Sequence, residues 1–154
     1  MITLRYLIVC VLLCCAWSCK QYDYIDIEGV EIISLPACLA FNEASYIAQN
    51  DTEMNTLLRQ AYNSIACDYL PLAYLKVPDI SFEERSLLAQ RTRLAACSVF
   101  YEYEVKADVK SRRYIYNIYA RKNGDCSQIH EQYHWISLPK IPQNYTVSFQ
   151  ITEI

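Results

Sequence analysis

Glycine is almost missing from this chain, with only Gly29 and Gly124 among 154 residues. Two isolated glycines build neither a phosphate-cradling loop nor a nucleophile elbow, which excludes the commonest nucleotide and hydrolase signatures. Histidine is as scarce, at two residues, and no apolar run reaches the roughly 20 residues that a membrane-spanning helix needs. Positive charge is not in excess either: 14 Lys and Arg stand against 17 Asp and Glu. A mildly acidic chain has no general attraction for nucleic acid, and no nucleic-acid partner is expected. No Gly/Ser-rich or Pro-rich linker divides the chain, so a single domain is expected.

What is present begins with a secretion signal. Arg5 precedes the apolar run Tyr6 to Trp17, and Ala16 and Ser18 place small residues three and one before a cut. Residues 1–18 are therefore read as a signal peptide. The next residue, Cys19, makes the site resemble the lipobox of bacterial lipoproteins, in which the cysteine thiol takes a diacylglycerol and its freed amine a further acyl chain. Trp17 departs from the modest side chains usual at that place. Multiple acyl chains, at about 0.8 kcal/mol per buried methylene, anchor a protein firmly. Membrane lipid through Cys19 is thus the expected partner, and the cell envelope, facing periplasm or cell surface, the expected location. Removing residues 1–18, whose only charge is Arg5, leaves 136 residues with 13 basic and 17 acidic side chains, a net charge of −4. Residues 19–34 are expected to form the tether, with a first strand in its Tyr22 to Ile27 stretch, and 35–154 the domain.

Of the eight cysteines, Cys10, Cys14 and Cys15 fall in the signal and Cys19 at the lipid site. Cys38, Cys67, Cys97 and Cys126 remain, at spacings of 29, 30 and 29. Four cysteines in an exported domain imply up to two disulfides with three possible pairings.

The element pattern predicts an α+β domain: two helices followed by an antiparallel β-sheet, a disulfide-stapled meander. Met54, Leu57, Leu58, Ala61, Tyr62 and Ile65 follow helical spacing, and Asn50 with Glu53 supplies a cap, which predicts a helix over 51–66. Ser81 with Glu84 forms a capping box that predicts a second helix through Leu87, Leu88, Leu94 and Ala95. Residues 99–110 alternate strictly, with Val99, Tyr101, Tyr103, Val105, Ala107 and Val109 on one face, and predict a strand. Residues 113–122 are its expected hairpin partner. A turn centred between Ser111 and Arg112 sets Val105 against Ile118, Tyr103 against Ala120 and Glu102 against Arg121, and a one-residue slip would destroy that match. The same register sets Cys97 opposite Cys126, which favours a Cys97–Cys126 bond and leaves Cys38 for Cys67. Further strands are expected over 133–138 and 145–154.

One motif carries a chemistry. His130-Glu131-Gln132-Tyr133-His134 matches H-E-x-x-H, which on a helix binds zinc through both imidazoles with the glutamate as general base. No third histidine exists, Glu153 is the only carboxylate downstream, and Tyr133, Trp135 and the prolines favour an extended segment. Extended, the two histidines lie about 13 Å apart. They are accordingly read as surface histidines, with a small zinc hydrolase kept as the alternative. Tyr101, Tyr103, Tyr114 and Tyr116 share a face that suits a glycan-stacking platform, though such a stripe is more often core with its hydroxyls at the rim. Lys106, Lys110, Arg112 and Arg113 gather at the expected hairpin tip. No cofactor and no catalytic set is expected.

Two stretches resemble a known group. Cys67-Asp68-Tyr69-Leu70-Pro71, followed by Pro78-Asp79-Ile80-Ser81-Phe82, resembles a region of small bacterial lipoproteins of unknown function. The closing Tyr133 to Pro142, followed by Val147 to Phe149, is similar to their ending and to the C-terminal domain of the small subunit of PrcB-type protease complexes. The resemblance covers residues 50–154 and implies a lipid-anchored, non-catalytic α+β module that accompanies an envelope protein or protease. The aspartate that precedes phenylalanine in that pattern is displaced here to Asp79.

Overall fold

The computed structural model describes residues 24–63 and 65–154. The signal segment and Cys19 lie outside the described residues. The described residues form eight strands, one α-helix and a short 3-10 turn. Strands β1 (Tyr24–Asp26), β5 (Ser98–Asp108), β6 (Arg113–Asn123) and β8 (Thr146–Glu153) form one sheet, in the order β1-β5-β6-β8. Strands β2 (Glu31–Ile33), β3 (Ser45–Ala48), β4 (Arg85–Ala95) and β7 (Ile129–Pro139) form the other, in the order β2-β7-β4-β3. Every pairing is antiparallel except β6 with β8, which is parallel. Among the described residues no helix is long and apolar enough to cross a membrane.

The two sheets pack face to face. Leu88, Ile136 and Leu138 from one meet Val105, Ala107, Tyr116 and Ile118 from the other, with Ile141 closing the end. Each fully buried Leu or Ile contributes about 1.5–3 kcal/mol relative to exposure. The opposite face of the second sheet is covered by helix α1 (Asp51–Ala61), whose Met54, Leu57, Leu58 and Ala61 pack on Leu87, Ala89 and Trp135. The molecule is therefore a sandwich with a helix laid on one side.

This overturns the expectation of an α+β domain of two helices and a single meander, since the described residues hold one α-helix and are mostly strand in two sheets. The first helix is real, begun by Asn50, whose side chain accepts from the Glu53 amide at 2.9 Å. It stops at Ala61 rather than 66, because Tyr62 turns extended and Asn63 Oδ1 takes the amides of Ile65 and Ala66. The second helix does not exist. Ser81 starts a single turn, its carbonyl accepting from Glu84 and Arg85, and the chain then runs out as β4. The strand was hard to read because β4 is central and covered on both faces, so Leu87, Leu88 and Ala89 are all buried and the alternation vanishes.

The β5–β6 hairpin has the expected faces and a register shifted by two. Val105 faces Tyr116, Tyr103 faces Ile118, and Phe100 faces Arg121. A two-residue shift leaves every side chain on its face, so the apolar pattern could not decide it. The turn decided it. Asp108 pairs with Arg113 across a four-residue loop, its carboxylate accepts from the Ser111 amide at 3.1 Å, and Arg112 takes a positive φ of 51°. Nor does the sheet continue as a meander. After β6 the chain crosses to pair β7 with β4, then returns to lay β8 beside β6.

Two disulfides are present, Cys38–Cys67 and Cys97–Cys126. The second lies just beyond the ends of β5 and β6, where Gly124 sits directly against Cys97. Its formation therefore did not require the assumed register.

Candidate functional site

Strands β1 and β2 are three residues each, whereas their neighbours β5 and β7 have eleven. β1 pairs with β5 from Lys106 to Asp108, with the Ile27 amide reaching one residue further to the Val105 carbonyl, and β2 pairs with β7 from Trp135 to Ser137. Among the described residues, one flank of the sandwich is thus closed near the β5–β6 turn and open over the rest. Arg85 holds the closed part, donating to Ser137 Oγ at 2.6 Å and to the Gly29 carbonyl at 2.9 Å.

Backbone direction along the open part follows from two bonds. The Arg91 amide donates to Ala44 on the β3 side, so the even-numbered residues of β4 and β7 face each other with their N–H and C=O groups. Glu131 and Tyr133 consequently aim theirs at the uncovered edge. Likewise the Val105 carbonyl accepts from Ile27, so Tyr101 and Tyr103 aim theirs the same way. Among the described residues, no backbone hydrogen bond occupies the edge side of Glu131 or Tyr133.

A cleft of about 470 Å3 lies along this β7 edge. Its outer wall is the segment from Ser34 to Phe41, which the Cys38–Cys67 bond ties to the chain beyond α1. Phe41 packs against Trp135 at 4.8 Å and Tyr133 at 5.4 Å between ring centres. The single proton of the Tyr133 hydroxyl is shared between the Glu43 carbonyl at 2.6 Å and the Phe41 carbonyl at 3.0 Å, fixing this wall to β7. The inner wall is polar, formed by Tyr103 and His134.

His134 is 4% exposed. Its Nε2 lies 2.8 Å from Thr92 Oγ1 and its Nδ1 3.0 Å from the Tyr103 hydroxyl. Thr92 donates its own proton to the Tyr101 hydroxyl, 3.2 Å away. Its oxygen therefore accepts from Nε2–H, and Nδ1 accepts from Tyr103, so one neutral tautomer satisfies the whole chain. Burial pushes the imidazole down to about 4. The Tyr116 hydroxyl completes the cluster by donating to the His134 carbonyl at 3.2 Å.

The H-E-x-x-H residues are thus on a strand, as the extended reading held, but His134 is core rather than surface. His130 shares its face and bonds the Ala96 carbonyl through Nε2 at 3.1 Å. Glu131 points to the opposite face, 3.7 Å from Arg91 and 3.4 Å from Arg93. The three side chains do not converge, and no group of three His, Cys, Asp or Glu among the described residues gathers to hold an ion. The tyrosine stripe is divided: Tyr114 and Tyr116 are core, while Tyr101 and Tyr103 carry their hydroxyls into the His134 cluster. Sequence reasoning missed Thr92 and the inward role of His134. The signal was parity, since His134 is in phase with Ile136 and Leu138 on β7.

The four basic residues do flank the hairpin turn. Lys106 is paired with Glu104 at 2.7 Å, and Arg113 reaches Asp108 at 3.8 Å. Comparison with known proteins returned no match to a family model, to a curated protein or to a solved structure. Both nitrogens of the neutral imidazole are engaged and Glu131 is held by two arginines, so what the cleft presents is its walls and the backbone groups of Glu131 and Tyr133.

Proposed function

We propose that this chain is an exported lipoprotein, tethered through Cys19, that serves the cell envelope as a non-catalytic binding module with the open flank as its face. The observation that carries this reading is the cleft itself: two strands left half uncovered beside a wall pinned by a disulfide. Disulfides suit an oxidising compartment outside the cytoplasm. The geometry also suits a tether. Tyr24 pairs with Asp108 at the hairpin end, and the five residue steps from Cys19 span at most about 17 Å. A membrane at that distance leaves the open part of the flank at the far end, directed outward. The resemblance to small bacterial lipoproteins of unknown function, whose ending is similar to the C-terminal domain of the small subunit of PrcB-type protease complexes, is consistent with this role by analogy.

The test is capture from envelope extract with the folded, oxidised domain of residues 19–154. A discrete protein partner, lost when Gln132 at the cleft is replaced by tryptophan, is the expected result. Failure to retain any partner across repeated captures with intact protein contradicts the reading.

A further inference from the structure

From the geometry of the β7 edge we infer that the ligand of this flank is an extended peptide segment, added beside β7 as a strand in the row that β2 begins. This rests on the binding-module reading and names what the module binds. An uncovered strand edge offers alternating N–H and C=O groups, and only another extended backbone satisfies both in register. Ile129 to His134 span six residues, about 20 Å, enough for a bound segment of six or seven residues. β2 already occupies the same row from Trp135 to Ser137, so an added strand continues an existing ladder instead of starting one.

The walls assign the side chains. Successive residues of a strand point to opposite faces, so alternate residues of the segment meet the polar inner wall of Tyr103 and His134. The residues between them meet the aromatic outer wall of Phe41 and Tyr133. The expected ligand therefore alternates hydroxyl or amide side chains with apolar ones. Among the described residues the outer edge of β8 also has no strand beside it, but the cleft walled by Phe41, Tyr103, Tyr133 and His134 lies at β7, and a strand added at β8 would lie outside it.

The probe is a displayed library of random heptapeptides selected on the oxidised domain. Selected peptides are expected to alternate in polarity and to slow hydrogen exchange at the Glu131 and Tyr133 amides. N-methylation of a peptide residue facing β7 should weaken binding roughly two- to tenfold per blocked bond. Glu131→Pro removes one edge donor and leaves the β4 pairing intact, since residues 130 and 132 carry that pairing and proline is tolerated on a strand edge. It should weaken binding by a similar factor, roughly two- to tenfold, while Glu131→Ala, which loses the same ion pairs, should change it little. The proposal is overturned if no peptide is selected, if protection falls on β8 instead, or if N-methylated peptides bind equally. A partner captured from the envelope with equal yield by Glu131→Pro would overturn this edge as the site and leave the module reading standing. Peptide binding at β7 without any envelope partner would do the reverse.

Discussion

Lowering the pH from 7 to 4 charges an imidazole that the fold holds neutral. His134 is enclosed by Tyr101, Tyr103, Thr92 and Tyr116, with no carboxylate among its partners to stabilise a second proton. Its folded value near 4 lies below the ordinary 6.5, so the unfolded chain binds the proton first and stability falls as pH falls through this window. The linkage relation gives a loss of about 2 kcal/mol between pH 7 and pH 5, growing to about 3 kcal/mol at pH 4. Glu104 and Asp108 are held below their ordinary values, by the Lys106 ammonium and by Ser111 respectively. Their contributions begin to fall only as the pH drops through the ordinary carboxylate values, 4.5 for Glu104 and 3.8 for Asp108, and are lost below them. His134→Gln keeps a donor and an acceptor for Thr92 and Tyr103 but has no proton to bind. Urea unfolding of both proteins at pH 7, 5.5 and 4.5 isolates the imidazole, because every other group cancels in the difference. The wild type should lose stability faster, while the variant stays nearly flat over the same range. Parallel curves would refute the buried, neutral assignment.

Gly124→Ala should be severely destabilising, because the new Cβ would stand 2.5 Å from Cys97 Sγ at a φ of 74°. A loss of roughly 2–4 kcal/mol and a lower yield of the Cys97–Cys126 bond are expected, read by thermal melting and non-reducing peptide mapping. Asp68 and Tyr69 both take positive φ, 52° and 58°, in a turn closed by the Leu70 amide on the Cys67 carbonyl. Tyr69→Gly should therefore raise stability by about 1 kcal/mol in denaturant titration, since Tyr69 is 75% exposed and contributes little packing. Replacing Cys38 and Cys67 together by serine opens a 29-residue link and should cost roughly 3–4 kcal/mol. Hydrogen exchange should then quicken along residues 34–41 before it changes in β5 or β6.

Much of the sheet was legible because half-buried strands keep their alternation. β5 and β6 each have one face on the core, and their bounds fall within two residues of the alternating stretches. β4 failed the same test for a physical reason: buried on both faces, it carries a helix-like apolar cluster behind a genuine capping turn. The register missed by two because the pattern repeats every two residues, and only Asp108 and Arg112 in the turn break that degeneracy. The candidate site was hardest to see. H-E-x-x-H drew attention to residues 130–134, but its meaning depends on secondary structure, and on a strand its members part to opposite faces. The uncovered edge has no sequence signature of its own, since it arises from β1 and β2 being shorter than the strands they cover.

Intact mass analysis of the protein made in a bacterial host that processes lipoproteins tests the central claim of a tethered, oxidised module most directly. The expected product begins at Cys19, carries the added mass of acyl chains on that residue, and lacks four hydrogens for the two disulfides. A product that begins elsewhere, or at an unmodified Cys19 in the aqueous phase of a detergent partition, contradicts it.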